Sequence, residues 1–487
     1  MDKCIRNNVK DGKERIVLNS NQKNVFERFS HFIKDDERRI FILNGYAGTG
    51  KTTLIRFFID ELESQKKSFT LMASTGRAAK ILSNITKVNA STVHHVIYTF
   101  KDFNQDLEEV LQKKESGGMD SYGQLFLAFE LSSIDTEHAS DVYIIDEASM
   151  ISDEKDGNAT QAQFGSGKLL TDLLNFDPNG KFVFVGDVCQ LPPVEQDLSP
   201  ALSAAYFRSH FHLEAVESIL TDIVRQQEDN TIIQASHRIR LLHDDPPKVK
   251  WGMLPLGNYE HIRLHSDISS MIKLYIDLIR GRNYERASFI ASSNKKCGII
   301  NQLIRNELGF TPTLQVGDLL LVTQNNIISG LMNGDMVVVE QIDHTRSLRA
   351  GLSFVMVEVR ELVSRKRYAQ LLIEDILYGN TINLNQEQQQ ALFLDFFIRM
   401  KRIGIRQKDA RFKSCLNTDS YLNALRCVFG YAVTCHKAQG GEWNDVCVDI
   451  PRNLTLNATA EKYQWIYTAI TRAREHLHIV RDFFISN

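Results

Sequence analysis

Apolar residues fall in short unbroken runs, separated by longer stretches where they recur at every third or fourth position. The first such unit runs from Ile40 to Leu43 as a strand, turns through a glycine-rich segment from Gly45 to Gly50, and continues from Thr52 with helical periodicity. That order opens a βαβ unit. Further apolar runs at Phe69 to Ala73, Val142 to Ile145 and Phe182 to Val185 alternate with helical patterns. Strands covered on both faces by helices read as continuous apolar runs, so the alternation predicts an α/β lobe with a parallel sheet over about Asn21 to Phe211. A second set, at Ser288 to Ala291, Tyr431 to Thr434, Val446 to Asp449 and His476 to Val480, predicts another α/β lobe.

Each lobe is interrupted. Tyr98 to Ser140 is acidic, carries the turn signal Ser116-Gly117-Gly118, and holds Tyr98, Phe100, Phe103, Tyr122, Phe126 and Phe129. It reads as a small insertion. From Thr311 to about Ser414 the character changes again: Leu319 to Thr323, Met336 to Glu340 and Phe354 to Val359 are apolar or β-branched runs, with Asn333-Gly334-Asp335 between two of them. Such runs joined by tight turns predict a small antiparallel barrel. A helical stretch from Asn385 to Met400 follows, then a basic tract of Lys401, Arg402, Arg406, Lys408, Arg411 and Lys413 against Asp409 alone. The expected division is a first lobe of residues 1–97 and 141–211 with insertion 98–140, and a second lobe of 212–310 and 415–487 with insertion 311–414.

Composition narrows the class without naming a function. The 487 residues are 43% hydrophobic and 24% charged, which excludes wholesale disorder and disulfide scaffolds. Lysines and arginines number 57 against 60 acids, a net charge of −3, so no global field draws a polyanion and any such site is local. Seven scattered cysteines without a CxxC pair fit a reduced, intracellular chain. No stretch reaches the ~18 apolar residues of a membrane span, and Met1 to Lys13 carries no apolar signal core. Cytoplasm is the expected compartment, with nucleoid association if the source is bacterial.

The chemistry concentrates in two segments. Gly45-Tyr-Ala-Gly48-Thr49-Gly50-Lys51-Thr52-Thr53 is a GxxxxGK[ST] loop between a strand and a helix. Its glycines let backbone N–H groups converge on phosphate oxygens, the helix N-terminus adds positive potential, Lys51 reaches the β and γ phosphates, and Thr52 is suited to ligating Mg²⁺. The second segment, Val142 to Ile145 followed by Asp146-Glu147, puts two carboxylates at the end of an apolar strand. The carboxyl end of a parallel strand is where ligands bind. Asp146 is then a Mg²⁺ partner and Glu147 the base that orients and deprotonates water.

Four further segments complete a pattern: Gly186-Asp187-Val-Cys-Gln190-Leu191-Pro192-Pro193, Leu220-Thr221-Asp-Ile-Val-Arg225-Gln226, Thr434-Cys-His436-Lys437-Ala-Gln439-Gly440, and Tyr467-Thr468-Ala-Ile-Thr471-Arg472-Ala473-Arg474. With the two nucleotide segments and in this order, they resemble the motifs of superfamily-one DNA helicases, in the RecD-like, Dda-like and Pif-like branch. That resemblance implies two RecA-like lobes, ATP in the cleft between them, and single-stranded DNA or a duplex junction across both.

By position, the resemblance implies that Gln22 reads adenine, Gln190 senses the γ-phosphate, Arg225 and Arg472 close on it, and Glu442 contacts ribose, with Gly440 beside the nucleotide. It implies DNA contacts from Thr75 and Arg77, from Thr92 and His94, and from Thr434 and His436; His95 matches no motif position and reads as an ordinary structural histidine. It further implies five-prime to three-prime movement, a Src-homology-like barrel over the DNA, a separation element in the first insertion, a monomeric working unit, and roles in replication, repair or recombination with proteins of those pathways. Two other classes fit the loop alone: an ATPase that remodels protein partners without DNA, and a DNA-binding module with a dead ATPase site. The first does not predict the Thr434 and His436 motif, and the intact Lys51, Glu147, Arg225 and Arg472 argue against the second.

Overall fold

Ile40, Phe41, Ile42 and Leu43 are all fully excluded from solvent, as a strand covered on both faces by helices requires. They lie in a computed structural model that describes residues 17–115, 125–133, 139–155, 162–223, 230–379 and 381–487. Their strand, Ile40–Gly45, belongs to a six-stranded sheet in the order Ala90–Thr92, Phe69–Ala73, Val142–Asp146, Lys181–Gly186, Ile40–Gly45, Ala215–Leu220. Every neighbouring pair is parallel. Register sets Gly186 beside Asn44 and Asp146 beside Ala73, so the glycine-rich loop, Asp146-Glu147 and Asp187 all leave the sheet at its carboxyl edge. The helix Lys51–Ser64 seals one face with Leu54, Ile55, Phe58, Ile59 and Leu62, each such burial stabilising by about 2 kcal/mol. Phe58 stacks on Phe29 of the helix Ser20–Phe32 with ring centroids 3.9 Å apart.

A second parallel sheet runs Ile262–His265, Ala473–Val480, Trp443–Val448, Ala287–Ala291, Ala432–Thr434. Two α/β units with parallel sheets are therefore present. Between residues 319 and 429 an antiparallel sheet is ordered Arg367–Ile373, Leu352–Glu361, Met336–Arg349, Leu319–Val322, Cys427–Phe429. A single bridge between Leu372 and Leu425 brings its first and last strands together. The helix Gln386–Arg402 packs on this sheet and on the first insertion, where Phe103 meets Phe393 at a centroid distance of 5.0 Å. No helix among the described residues is long and apolar enough to cross a membrane.

Three elements depart from the expected division, each for a local reason. Ala215–Leu220 pairs with Ile40–Gly45, so the first sheet continues past Phe211. As an edge strand it alternates buried and exposed positions, with Glu217 facing out, and lacks the apolar run that marks central strands. The first insertion forms a three-stranded sheet of Tyr98–Phe103, Leu127–Leu131 and Ala162–Phe164. Its last strand lies beyond Ser140 and is too short to show a period. Cys427–Phe429 joins the antiparallel sheet through Leu319–Val322, beyond Ser414, because adjacency to a strand a hundred positions earlier leaves no local trace. The basic tract lies against the first insertion: Lys401 pairs with Glu108, and Lys413 donates to the Phe100 carbonyl at 2.9 Å. Arg225, Tyr122 and the Ser116-Gly117-Gly118 turn lie outside the described residues.

Candidate nucleotide and nucleic-acid site

The glycine-rich loop is shaped by backbone that only glycine adopts freely. Gly48 and Gly50 sit at φ 78° and 80°, and a Cβ on Gly45 would come within 2.9 Å of the Lys51 side chain. Lys51 Nζ donates to the carbonyls of Gly45 at 2.6 Å and Tyr46 at 3.2 Å. Thr49, fully buried, donates its hydroxyl to Tyr46 O at 2.8 Å. Thr52 and Thr53 begin the helix that follows. Gln22 closes the other side: its Nε2 donates to Thr49 O at 3.1 Å, and its Oε1 accepts the Asn19 N–H in a capping box.

Asp146 ends the buried strand Val142–Asp146 and Glu147 follows at φ 51°. A left-handed conformation is costly for a residue with a Cβ and is found where function over-determines it. Burial pushes the Asp146 carboxyl up, and the neighbouring Glu147 carboxylate pushes it further in the same direction. A cation held by Asp146 relieves both effects, so the donor set fits a divalent metal.

The loop after Lys181–Gly186 crosses into the other lobe. Asp187 accepts the Tyr467 hydroxyl at 2.8 Å, and the same hydroxyl accepts the Ala47 N–H at 3.0 Å. Leu191 N donates to Thr468 Oγ1 at 2.9 Å, Gln439 Nε2 to Leu191 O at 3.1 Å, and Gln464 Nε2 to Val188 O at 3.0 Å. Gln190 is buried within this weave and its Oε1 has no partner. A buried, orphaned amide oxygen beside a phosphate-binding loop fits a ligand that completes it. Arg472 is buried two residues before Arg474, and its guanidinium donates to Thr468 O, Gly441 O and Thr471 Oγ1. Sequence reading assigned no role to Tyr467, Asp187 or Thr468. Tyr467 and Thr468 open the last motif and Asp187 is second in the third, and only their proximity reveals the bridge.

The candidate DNA residues divide by placement. Thr75, two residues past the strand Phe69–Ala73, and Thr92, the last residue of Ala90–Thr92, cap the helices that follow, accepting from Ala78 N at 3.2 Å and His95 N at 3.3 Å. Thr434 ends Ala432–Thr434, and its side chain makes no capping bond. His436 is half-buried and burial lowers its pKa. Gly440, at φ 72°, passes so near the helix Gly76–Thr86 that a Cβ would lie 3.2 Å from that of Ala78.

Three placements differ from the sequence expectation. Arg77 does not stand free for a phosphate: its guanidinium lies 4.2 Å from the Trp443 ring centroid. Glu442 accepts from Arg474 Nε at 3.0 Å and lines a cavity of about 300 Å³ with Arg77, Asp335 and Glu361. His94 packs edge-on against Phe164 at 5.1 Å and beside Tyr98, and burial lowers its pKa to about 4, so it is neutral. The exposed imidazole of the pair is His95. Alternation along a five-residue helix is too short to show which histidine turns inward, and the stacking tryptophan is remote in sequence.

Residues 17–251 match the family described as an AAA domain, and residues 429–480 match the UvrD-like helicase C-terminal domain. Over 215 residues the chain is 31% identical to the ATP-dependent RecD2 DNA helicase of Deinococcus radiodurans, covering 44% of this chain and 23% of that protein. It is 27% identical over 297 residues to the ATP-dependent DNA helicase dda of Enterobacteria phage T4, covering 60% of this chain and 57% of that one. The chain thus matches about a quarter of the length of the first relative and somewhat over half of the second. A solved structure of Pif1 helicase, from a study of unwinding at forked double-stranded DNA, superposes with a TM-score of 0.51 at 16% identity, covering 97% of this chain and 93% of the other. That likeness shows a shared fold of two RecA-like lobes.

Proposed function

We propose that the chain, on its likeness to the AAA and UvrD-like C-terminal domains and to the RecD2 and dda helicases, is a superfamily-one helicase of the RecD and Pif1 type, an ATP-driven motor that moves along single-stranded DNA and unwinds duplex. The carrying observation is the weave of Asp187 to Leu191 into the helix Ala460–Ile470. One first-lobe loop leaves the sheet beside the glycine-rich loop and ends inside the second lobe, so a change at the phosphates is transmitted to both.

In this reading Lys51 leaves the Gly45 and Tyr46 carbonyls for the β and γ phosphates. Gly48, Thr49, Gly50 and Thr53 bind phosphate oxygens, and Gln22 faces the base. Thr52 and Asp146 hold Mg²⁺, which when bound neutralises phosphate charge. Glu147 takes the proton of the attacking water, Gln190 meets the γ-phosphate, and Arg225 and Arg472 supply positive charge there. Arginines in that role contribute about 10³-fold or more in rate. Gly440 lies beside the nucleotide, and Glu442, which accepts from Arg474, is placed at its ribose. Thr75, Thr92, Thr434 and His436 contact backbone phosphates, with mostly neutral donors suited to stepping rather than gripping.

Movement is proposed as five-prime to three-prime. The sheet between residues 319 and 429 is proposed as a Src-homology-like barrel, and the first insertion as the strand-separating element. A single chain suffices for the motor. Replication and recombination proteins are its expected partners.

The deciding experiment is steady-state ATP hydrolysis with and without single-stranded oligonucleotide, followed by unwinding of duplexes carrying either tail. Stimulation by the oligonucleotide and faster unwinding from a five-prime tail support the reading. Hydrolysis indifferent to DNA points instead to an ATPase acting on protein partners, and a three-prime preference overturns the polarity.

A further inference from the structure

The loop that ties the lobes together also carries a thiol. Cys189 is 2% exposed, and its Sγ lies 3.9 Å from Nδ1 of His243 at the carboxyl end of the helix Thr231–Asp244. That nitrogen lies 2.9 Å from Asp244 Oδ1, and all three donor atoms lie within 4.8 Å of one another. The helix packs on the second lobe, against the helix Ala460–Ile470, so the donors come from both sides of the cleft.

We propose that Cys189, His243 and Asp244 form a binding site for a zinc-class divalent cation that fastens the two lobes. Thiolate, imidazole and carboxylate together select Zn²⁺ over Mg²⁺ or Ca²⁺. A tetrahedral ion with sulfur at ~2.3 Å and nitrogen and oxygen at ~2.1 Å spaces its ligands ~3.6 Å (S to N) and ~3.4 Å (N to O) apart. The observed 3.9 and 2.9 Å differ from these by about 0.3 and about 0.5 Å, within side-chain adjustment.

The surroundings favour a cation. The helix end contributes partial negative charge, and Asp187, whose Oδ1 accepts the Cys189 N–H at 3.0 Å, adds a carboxylate. Arg240, stacked on Tyr46 at 3.7 Å with its Nε 4.0 Å from Asp244 Oδ2, is the opposing charge. An approach exists because the Asp244 side chain is 56% exposed. A fourth position is left to water or to an exogenous ligand. The other group of neighbouring donors, Asp445, Glu475 and His476, is already engaged with Arg286, His478 and Asn444 and serves as an internal control.

Binding on Cys189 holds the segment next to Gln190 to the second lobe, which opposes cleft opening. Only this consequence rests on the helicase reading. The test is titration of the metal-free, reduced full chain with Co²⁺, followed by near-ultraviolet absorption. The expected result is one equivalent with a thiolate-to-cobalt charge-transfer band, displaced by Zn²⁺. The band should vanish in Cys189→Ser, require at least about tenfold more metal in Asp244→Asn, whose exposed side chain is not needed for folding, and persist in His476→Ala. Absence of the band in the wild-type chain, or its survival in Cys189→Ser, overturns the site. At a zinc concentration that fills the wild-type site but not the Asp244→Asn site, hydrolysis stimulated by DNA should slow in the wild type alone, and equal rates or equal slowing in the two overturns the fastening.

Discussion

Tyr467 and Asp187 meet at 2.8 Å across the cleft, and the same tyrosine hydroxyl takes the Ala47 N–H at 3.0 Å. One side chain from the second lobe is thereby bonded to the phosphate-binding loop and to the loop that follows the next strand. Tyr467 and Asp187 are each buried to 1% exposure, so water cannot replace the bond between them.

Tyr467→Phe keeps the ring and removes both bonds, leaving Asp187 Oδ2 and Ala47 N–H short of a partner. A loss of about 2 kcal/mol in stability is expected, with stimulation by single-stranded DNA reduced more than basal hydrolysis. Thermal melts beside oligonucleotide-titrated ATPase rates check it. A variant with a lowered melting temperature and an unchanged stimulation ratio would show the bridge to be purely structural.

Lys51→Ala should abolish ATP turnover while leaving single-stranded DNA affinity nearly intact, because its ammonium sits on the Gly45 and Tyr46 carbonyls at the phosphate loop. Turnover and fluorescence anisotropy on the same preparation test the pair of outcomes. Near-normal hydrolysis would remove this loop as the engine.

Arg77→Ala removes a guanidinium stacked on Trp443, an interaction worth about 1 kcal/mol. The expected outcome is a lower melting temperature with no change in the salt dependence of DNA binding. A slope reduced by about one unit would identify a phosphate contact instead.

Changing Thr434 and His436 together to alanine should leave basal hydrolysis close to normal and remove most DNA stimulation. Thr434 makes no capping bond, so its loss costs the fold little. Oligonucleotide-titrated ATPase rates decide it, and equal loss of basal and stimulated rates would mean the segment is only structural.

His94 gives a pH signature. Its folded pKa is lowered by burial from 6.5 to about 4, so below the unfolded value the unfolded chain binds the extra proton. Stability from this residue is complete above about pH 6.5 and declines as pH falls toward about 4. Melts across that window should show the wild type losing stability relative to His94→Phe as pH falls from about 6.5 toward about 4. Parallel curves would place His94 in solvent.

What the sequence determined by itself were the features written in contiguous residues. The run Ile40 to Leu43 followed by Gly45 to Thr52 specifies strand, phosphate loop and helix together, since burial on both faces, positive-φ glycines and helical periodicity are all local demands. Val142 to Glu147 likewise announces two carboxylates at a strand end. Tertiary structure alone decided which distant groups meet. Trp443 against Arg77, Tyr467 against Asp187 and Ala47, and Cys189 against His243 join residues dozens to hundreds of positions apart. It also decided that Ala215–Leu220 completes the first sheet and Cys427–Phe429 the antiparallel one. A short edge strand has one covered face and one neighbour, so its residues carry half the apolar signal of a central strand. Its place is set by the hydrogen bonds of its neighbour and not by its own pattern.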